Sequence, residues 1–178
     1  TALGLIQVVT GFLVQDRLNL SSSATGLMTG LALLTAGIGM VIAQSLIVPR
    51  AKWGPTTLLR AGSCAGALGF CLLMIDGGAT FLMIAVAVIG VGIGLALPGY
   101  TAGPSLLMNH DEQGGLAGLI GATNGLTYVV SPAAGTAMYG WWSLLPILIG
   151  GIILAAVFVL VTIHPRFKSL SADSEVSS

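Results

Sequence analysis

Val48-Pro-Arg-Ala-Lys-Trp-Gly-Pro-Thr-Thr-Leu-Leu-Arg-Ala-Gly62 carries Arg50, Lys52 and Arg60, three of the six basic residues in the chain, and long apolar runs flank it on both sides. Charge is costly in hydrocarbon, and Lys and Arg resist translocation across a bilayer, so a short basic connector between apolar runs stays on the cytoplasmic side. Fixing that connector fixes the direction of every other run.

Composition agrees with a bilayer as the solvent. Of 178 residues, 55% are hydrophobic and 7% are charged. A soluble domain carries roughly 25% charged residues, and a fold of this size could not cover its surface with so few. The mean hydropathy is +0.99. Net charge is zero, which leaves no electrostatic footprint for nucleic acid. The 26 glycines are spread through the apolar runs, where small residues let membrane helices approach closely.

Catalytic and metal chemistry find no support. Cys64 and Cys71 lie in one predicted helix, about 10 Å apart along its axis, too far for a disulfide. His110 and His164 sit at membrane boundaries and build no ligand cluster with the cysteines. No Ser, His and acid arrangement falls at membrane depth. No enzyme activity, metal or cofactor is expected.

The apolar runs give an all-α integral membrane fold with six spans, at about 1–14, 24–48, 57–75, 80–100, 116–138 and 144–163. The first is shorter than the roughly 20 residues a crossing needs, so it reads as the end of a helix whose beginning lies upstream. Gln113–Pro165 contains no charged residue, and the break within it falls at Tyr139-Gly-Trp-Trp-Ser143, an aromatic cluster of the kind that marks a headgroup level. Residues 166–178 are polar and Ser-rich and are expected to be a disordered cytoplasmic tail. With the 50–60 connector inside, alternation places Arg50, Lys52, Arg60, Arg166 and Lys168 in the cytoplasm and only Arg17 outside. The expectation is a multi-pass protein of the cell membrane with a cytoplasmic C-terminus.

Polar residues within spans need a partner or a water-filled cavity, so they are the functional candidates. None of the complete spans has an ionisable residue near its middle. Asn124, Tyr128 and Ser131 fall at i, i+4 and i+7 and share one helix face. They either line a substrate path or serve as interhelical hydrogen-bonding glue. Gln7 and Thr10 in the first run are similar candidates. Gly90, Gly94 and Pro98 form a stripe for close contact or a hinge, and Gly118, Gly121 and Pro132 offer packing or bending points in the fifth run.

The connector and the fifth run together resemble the major facilitator superfamily, and within it the drug:proton antiporters, including tetracycline-type exporters. That family carries G-x-x-x-D-R-x-G-R-R between the second and third helices of each half. Lys52-Trp-Gly54 matches its R-x-G core, while Ile47, Ala51, Pro55 and Thr56 stand at the Gly, Asp and trailing basic positions. Gly114, Gly115, Gly118, Pro132, Gly135 and Tyr139 are similar to the eleventh helix, with its G-x-x-G start and P-x-x-G-x-x-x-Y end. The Gln15-Asp-Arg segment resembles the loop after the seventh.

The resemblance implies a six-helix half-bundle, helices seven to twelve of a twelve-helix carrier. Its partners would be the lipid bilayer, the N-terminal six-helix half and a small-molecule substrate of unknown identity. The implied activity is efflux by alternating access, with the seventh, tenth and eleventh helices contributing to the cavity and the ninth and twelfth facing lipid. The other reading is a small integral-membrane scaffold or assembly subunit without transport activity, in which the polar stripes only hold helices together.

Overall fold

The computed structural model describes residues 2–18, 20–105 and 113–163. Among them the regular structure is entirely helical: α1 Ala2–Leu18, α2 Ser22–Ala51, α3 Pro55–Leu73, α4 Gly78–Ser105, α5 Gln113–Trp141 and α6 Leu145–Ile163. The loop with His110, Asp111 and Glu112, and the tail with Arg166 and Lys168, lie outside the described residues.

Several helices outlast the apolar runs that announce them. α1 continues beyond Val14 through Gln15, Asp16 and Arg17. α4 continues beyond Tyr100, and there the Thr101 hydroxyl donates back to the carbonyls of Leu97 (3.0 Å) and Pro98 (3.3 Å). α2 runs through Pro49, where the sequence alone ends it. A proline ring clashes with the carbonyl four residues back and leaves that carbonyl without a donor. Here a π-helical turn at Ala43–Ile47 precedes the proline and carries the Val48 N–H to the Ala43 carbonyl. The wider turn lets the helix pass Pro49 and end at Ala51. Lys52 then adopts a left-handed conformation (φ 50°), Gly54 is extended, and Pro55 opens α3 at a position where its missing N–H is harmless.

The centre of the bundle is the α3–α4 pair. Gly62, Gly66 and Gly69 form one stripe on α3 and face α4 or α6. A Cβ on Gly62 would lie 2.5 Å from the Gly92 carbonyl oxygen, and one on Gly99 equally close to the Pro55 carbonyl oxygen. The two backbones therefore touch, as small residues permit between membrane helices. On its other side α4 packs on α2, where Gly90 meets the Ala36 carbonyl and Gly94 the Met40 carbonyl. Phe70 fills the layer between α3 and α6, its ring against Gly150. Buried side chains of α1 (Ile6, Val9, Leu13, Val14), α4 (Leu82, Ala85, Val86, Ile89) and α6 (Ile147) complete this core. A smaller cluster of Ala43, Leu58 and Leu95 closes the connector end.

Four helices, α2, α3, α4 and α6, are long and apolar enough to cross a membrane. α1, of 17 residues, and α5, with its Ser, Thr, Asn and Gly content, are not among them. These two polar helices are also neighbours.

Candidate functional site

A cavity of about 200 Å³ opens between α1, α2 and α4. Ile6 and Gln7 of α1, Leu33, Ala36, Gly37 and Met40 of α2, and Gly90 and Ile93 of α4 line it. Gly37 and Gly90 each lie near the middle of their helices, so the cavity sits near mid-depth of the bundle. Its walls are apolar apart from the Gln7 amide. The resemblance leads one to expect walls from the seventh, tenth and eleventh helices. The walls of this cavity come from the first, second and fourth helices of this bundle, the places of the seventh, eighth and tenth. α5 lines none of it. α3 packs against α4 and α6 on one side, and Cys64, Leu68 and Cys71 lie on its exposed face.

Thr10 lies one turn from Ile6 and Gln7 on α1, on the same side of the helix. It is fully buried, and its Oγ1 has no hydrogen-bond partner. Other hydroxyls within helices behave differently. Thr29, Thr35, Ser63, Thr123 and Thr162 each donate to the carbonyl four residues back, at 2.7 to 2.8 Å. That is the ordinary way a hydroxyl is satisfied within a helix. A buried hydroxyl left unpaired costs about 1–3 kcal/mol.

The three candidates on α5 go elsewhere. Ser131 is buried against α1, where a Cβ on Gly4 would come within 2.6 Å of the Ser131 Cβ. Asn124 is half-buried and Tyr128 about half-exposed (49%), both away from the cavity. Gln7 is thus brought to the cavity, Thr10 is buried one turn further along α1 without lining it, and Asn124, Tyr128 and Ser131 do not line it. Pro132 removes the N–H that would bond to the Tyr128 carbonyl. The close packing expected at Gly118 and Gly121 is not found among the described residues. A Cβ at either position meets nothing within 4 Å, because this face of α5 has no neighbour there. Gly90 and Gly94, by contrast, lie in the α2–α4 contact, and Pro98 follows in the same helix.

The charged side chains among the described residues all sit at helix ends or in connectors. At one end the Tyr139 hydroxyl donates to Asp16 Oδ2 at 2.5 Å, and its ring stacks on Phe12 with centroids 4.8 Å apart. Burial, and then the Asp16 hydrogen bond, hold the Tyr139 phenol above its ordinary titration range. Arg17 Nη1 donates to the Ile75 carbonyl at 3.1 Å. At the other end Arg60 Nε and Nη2 both donate to the Val161 carbonyl, at 3.3 and 3.0 Å. Val161 is in the last turn of α6, where carbonyls lack intrahelical donors and a cation is favoured. Arg50 Nη1 donates to the Leu46 carbonyl, while Lys52 and Gly54 shape the turn.

Sequence reasoning missed the Asp16–Tyr139 pair, the Arg60 clasp on α6, and the α2 wall of the cavity. No local signal links positions 123 or 101 apart. The α2 wall had one usable sign, Gly37 within an uncharged run near Gln44.

A family model described as Major Facilitator Superfamily matches residues 2–176. No curated protein and no solved structure matches the chain.

Proposed function

Because this chain belongs to the Major Facilitator Superfamily, a family of multi-pass membrane transporters, we propose that its helices are one half, the C-terminal half, of a secondary carrier that expels a small molecule by alternating access. The cavity at mid-depth between α1, α2 and α4 carries this reading. Ligand sites in such carriers lie near the bilayer midplane, at the interface between repeats. A second bundle of about six helices would complete the walls that this one leaves open. Gln7 is the polar group on the path, with Thr10 buried on the next turn of α1. The resemblance to drug:proton antiporters supports efflux as the direction, and the excess of Lys and Arg supports a cytoplasmic side for the Lys52–Gly54 connector and the C-terminus.

The test needs no substrate. Gly37 lines the cavity, and a side chain there meets nothing within 4 Å. In the full carrier with Cys64→Ser and Cys71→Ser, Gly37→Cys should be labelled by a membrane-impermeant maleimide from either face of oriented vesicles. Locking the carrier open to one face should abolish labelling from the other. Labelling confined to one face under every condition would overturn alternating access at this cavity. A Trp53→Cys probe that reacts only from the non-cytoplasmic face would overturn the orientation.

A further inference from the structure

Resting on that reading of the cavity, we propose that it selects uncharged molecules with a ring-sized apolar end and one hydrogen-bonding pole, and rejects organic anions and cations of the same size. Three observations converge on this class.

The first is electrostatic. Asp16, Arg17, Arg50, Lys52, Arg60 and Asp76, the charged residues within the described segments, all lie at helix ends or in connectors. Arg60, the one set furthest into a helix, is already engaged with the Val161 carbonyl. Among the described residues, no charged side chain lines the cavity at Gln7, Gly37 or Gly90. An ion seated there would lose its hydration without gaining a counter-ion, a heavy penalty for either sign.

The second is size and lining. Aliphatic side chains, the Met40 thioether and glycine make up the cavity except at Gln7. An apolar protein cavity of roughly 150 Å³ stays dry and binds benzene, so about 200 Å³ accepts one ring and a short polar extension. The third is the polar pole itself. The Gln7 amide can both donate and accept. Thr10, on the next turn, is fully buried with an unpaired Oγ1, unlike the hydroxyls that bond back along their own helices. A ligand hydroxyl, carbonyl or amide in the cavity meets the Gln7 amide, the polar group on its wall.

A matched set of one-ring probes tests the proposal: benzyl alcohol, benzoate, benzylammonium and toluene. Each is presented to the full carrier in lipid nanodiscs, binding is followed by saturation-transfer NMR, and the signal from protein-free discs is subtracted. Gly37→Leu puts a side chain on the cavity wall, with room for its Cβ. Benzyl alcohol should bind and lose its signal in Gly37→Leu. The two ions should bind at least about tenfold more weakly, a difference of about 1.4 kcal/mol or more. The double variant Gln7→Leu with Thr10→Val should bring benzyl alcohol down to the level of toluene.

Benzoate or benzylammonium that binds as tightly as benzyl alcohol, and is lost in Gly37→Leu, would overturn the substrate class while leaving the path intact. Benzyl alcohol binding that survives Gly37→Leu would overturn the path and the class with it. Absence of binding by all four probes would also overturn the class, since benzyl alcohol is its smallest member.

Discussion

α3 and α5 are both glycine-rich helices in the same bundle, and their glycines do opposite things. On α3, Gly62, Gly66 and Gly69 are each filled by a neighbour: α4 backbone, a Leu154 methyl and the Ile89 side chain. On α5, a Cβ at Gly114, Gly115, Gly118, Gly121 or Gly125 would meet nothing within 4 Å. α3 is a structural post locked to α4. α5 is held at only a few places, by Ser131 against Gly4 and by Tyr139 against Phe12 and Asp16. The same residue type therefore marks both the most rigid contact of the bundle and its most open face. In a carrier that rocks one bundle against another, the locked pair suits the scaffold and the loosely held helix suits the side that meets moving parts.

The comparison can be broken most directly at Gly62. Gly62→Leu must push the Gly92 and Ala96 backbone away, and overpacking of this kind costs about 3 kcal/mol. The expected outcome is loss of monodisperse protein after solubilisation; a normal thermal midpoint would end the claim that α3 and α4 are locked. Arg60→Gln comes next, since it removes the charged donor to the Val161 carbonyl. Allowing for partial exposure, about 1.5 kcal/mol should be lost, read as a lower thermal midpoint and faster proteolysis beyond Ile163.

On the loose side, Tyr139→Phe keeps the Phe12 stack and deletes the bond to Asp16, at about 1 kcal/mol. The native Trp141 and Trp142 provide the fluorescence signal for that unfolding. The same variant has a pH signature. The phenol is held above its ordinary value, so its contribution is complete below about pH 10. It declines as pH rises beyond that, because the unfolded chain ionises first. Tyr139→Phe should lose this alkaline slope, and an unchanged slope would show that another group sets it. The smallest effect is expected from Gly121→Leu, which should change stability by no more than about 0.5 kcal/mol. If this variant destabilises as Gly62→Leu does, the open face of α5 is packed in the working protein by something the six helices do not supply.

Much of the fold is legible in the residues because the bilayer imposes a simple rule. Uncharged runs must cross or be buried, and Arg50, Lys52 and Arg60 cannot, so helix existence and order follow. Helix ends are less legible, since a helix continues wherever its backbone is satisfied. Pro49 looks like a stop until a π turn accommodates it, and Thr101 carries α4 past Tyr100. The site is legible only in part. Gln7 stands out as an amide in an apolar run, but the α2 and α4 residues beside it are plain hydrocarbon or glycine. Asn124 and Tyr128 stand out equally and do not line the cavity.

The residues by themselves determined that this protein is an all-helical membrane protein whose charges keep to the ends of its helices, because solvation in hydrocarbon depends on residue type and scarcely on neighbours. Tertiary structure alone decided which polar groups share a cavity, which glycines touch backbone, and that Asp16 meets Tyr139 and Arg60 meets Val161. Those outcomes depend on how each helix is rotated and crossed against the next, and rotation is set by packing between segments far apart in the chain.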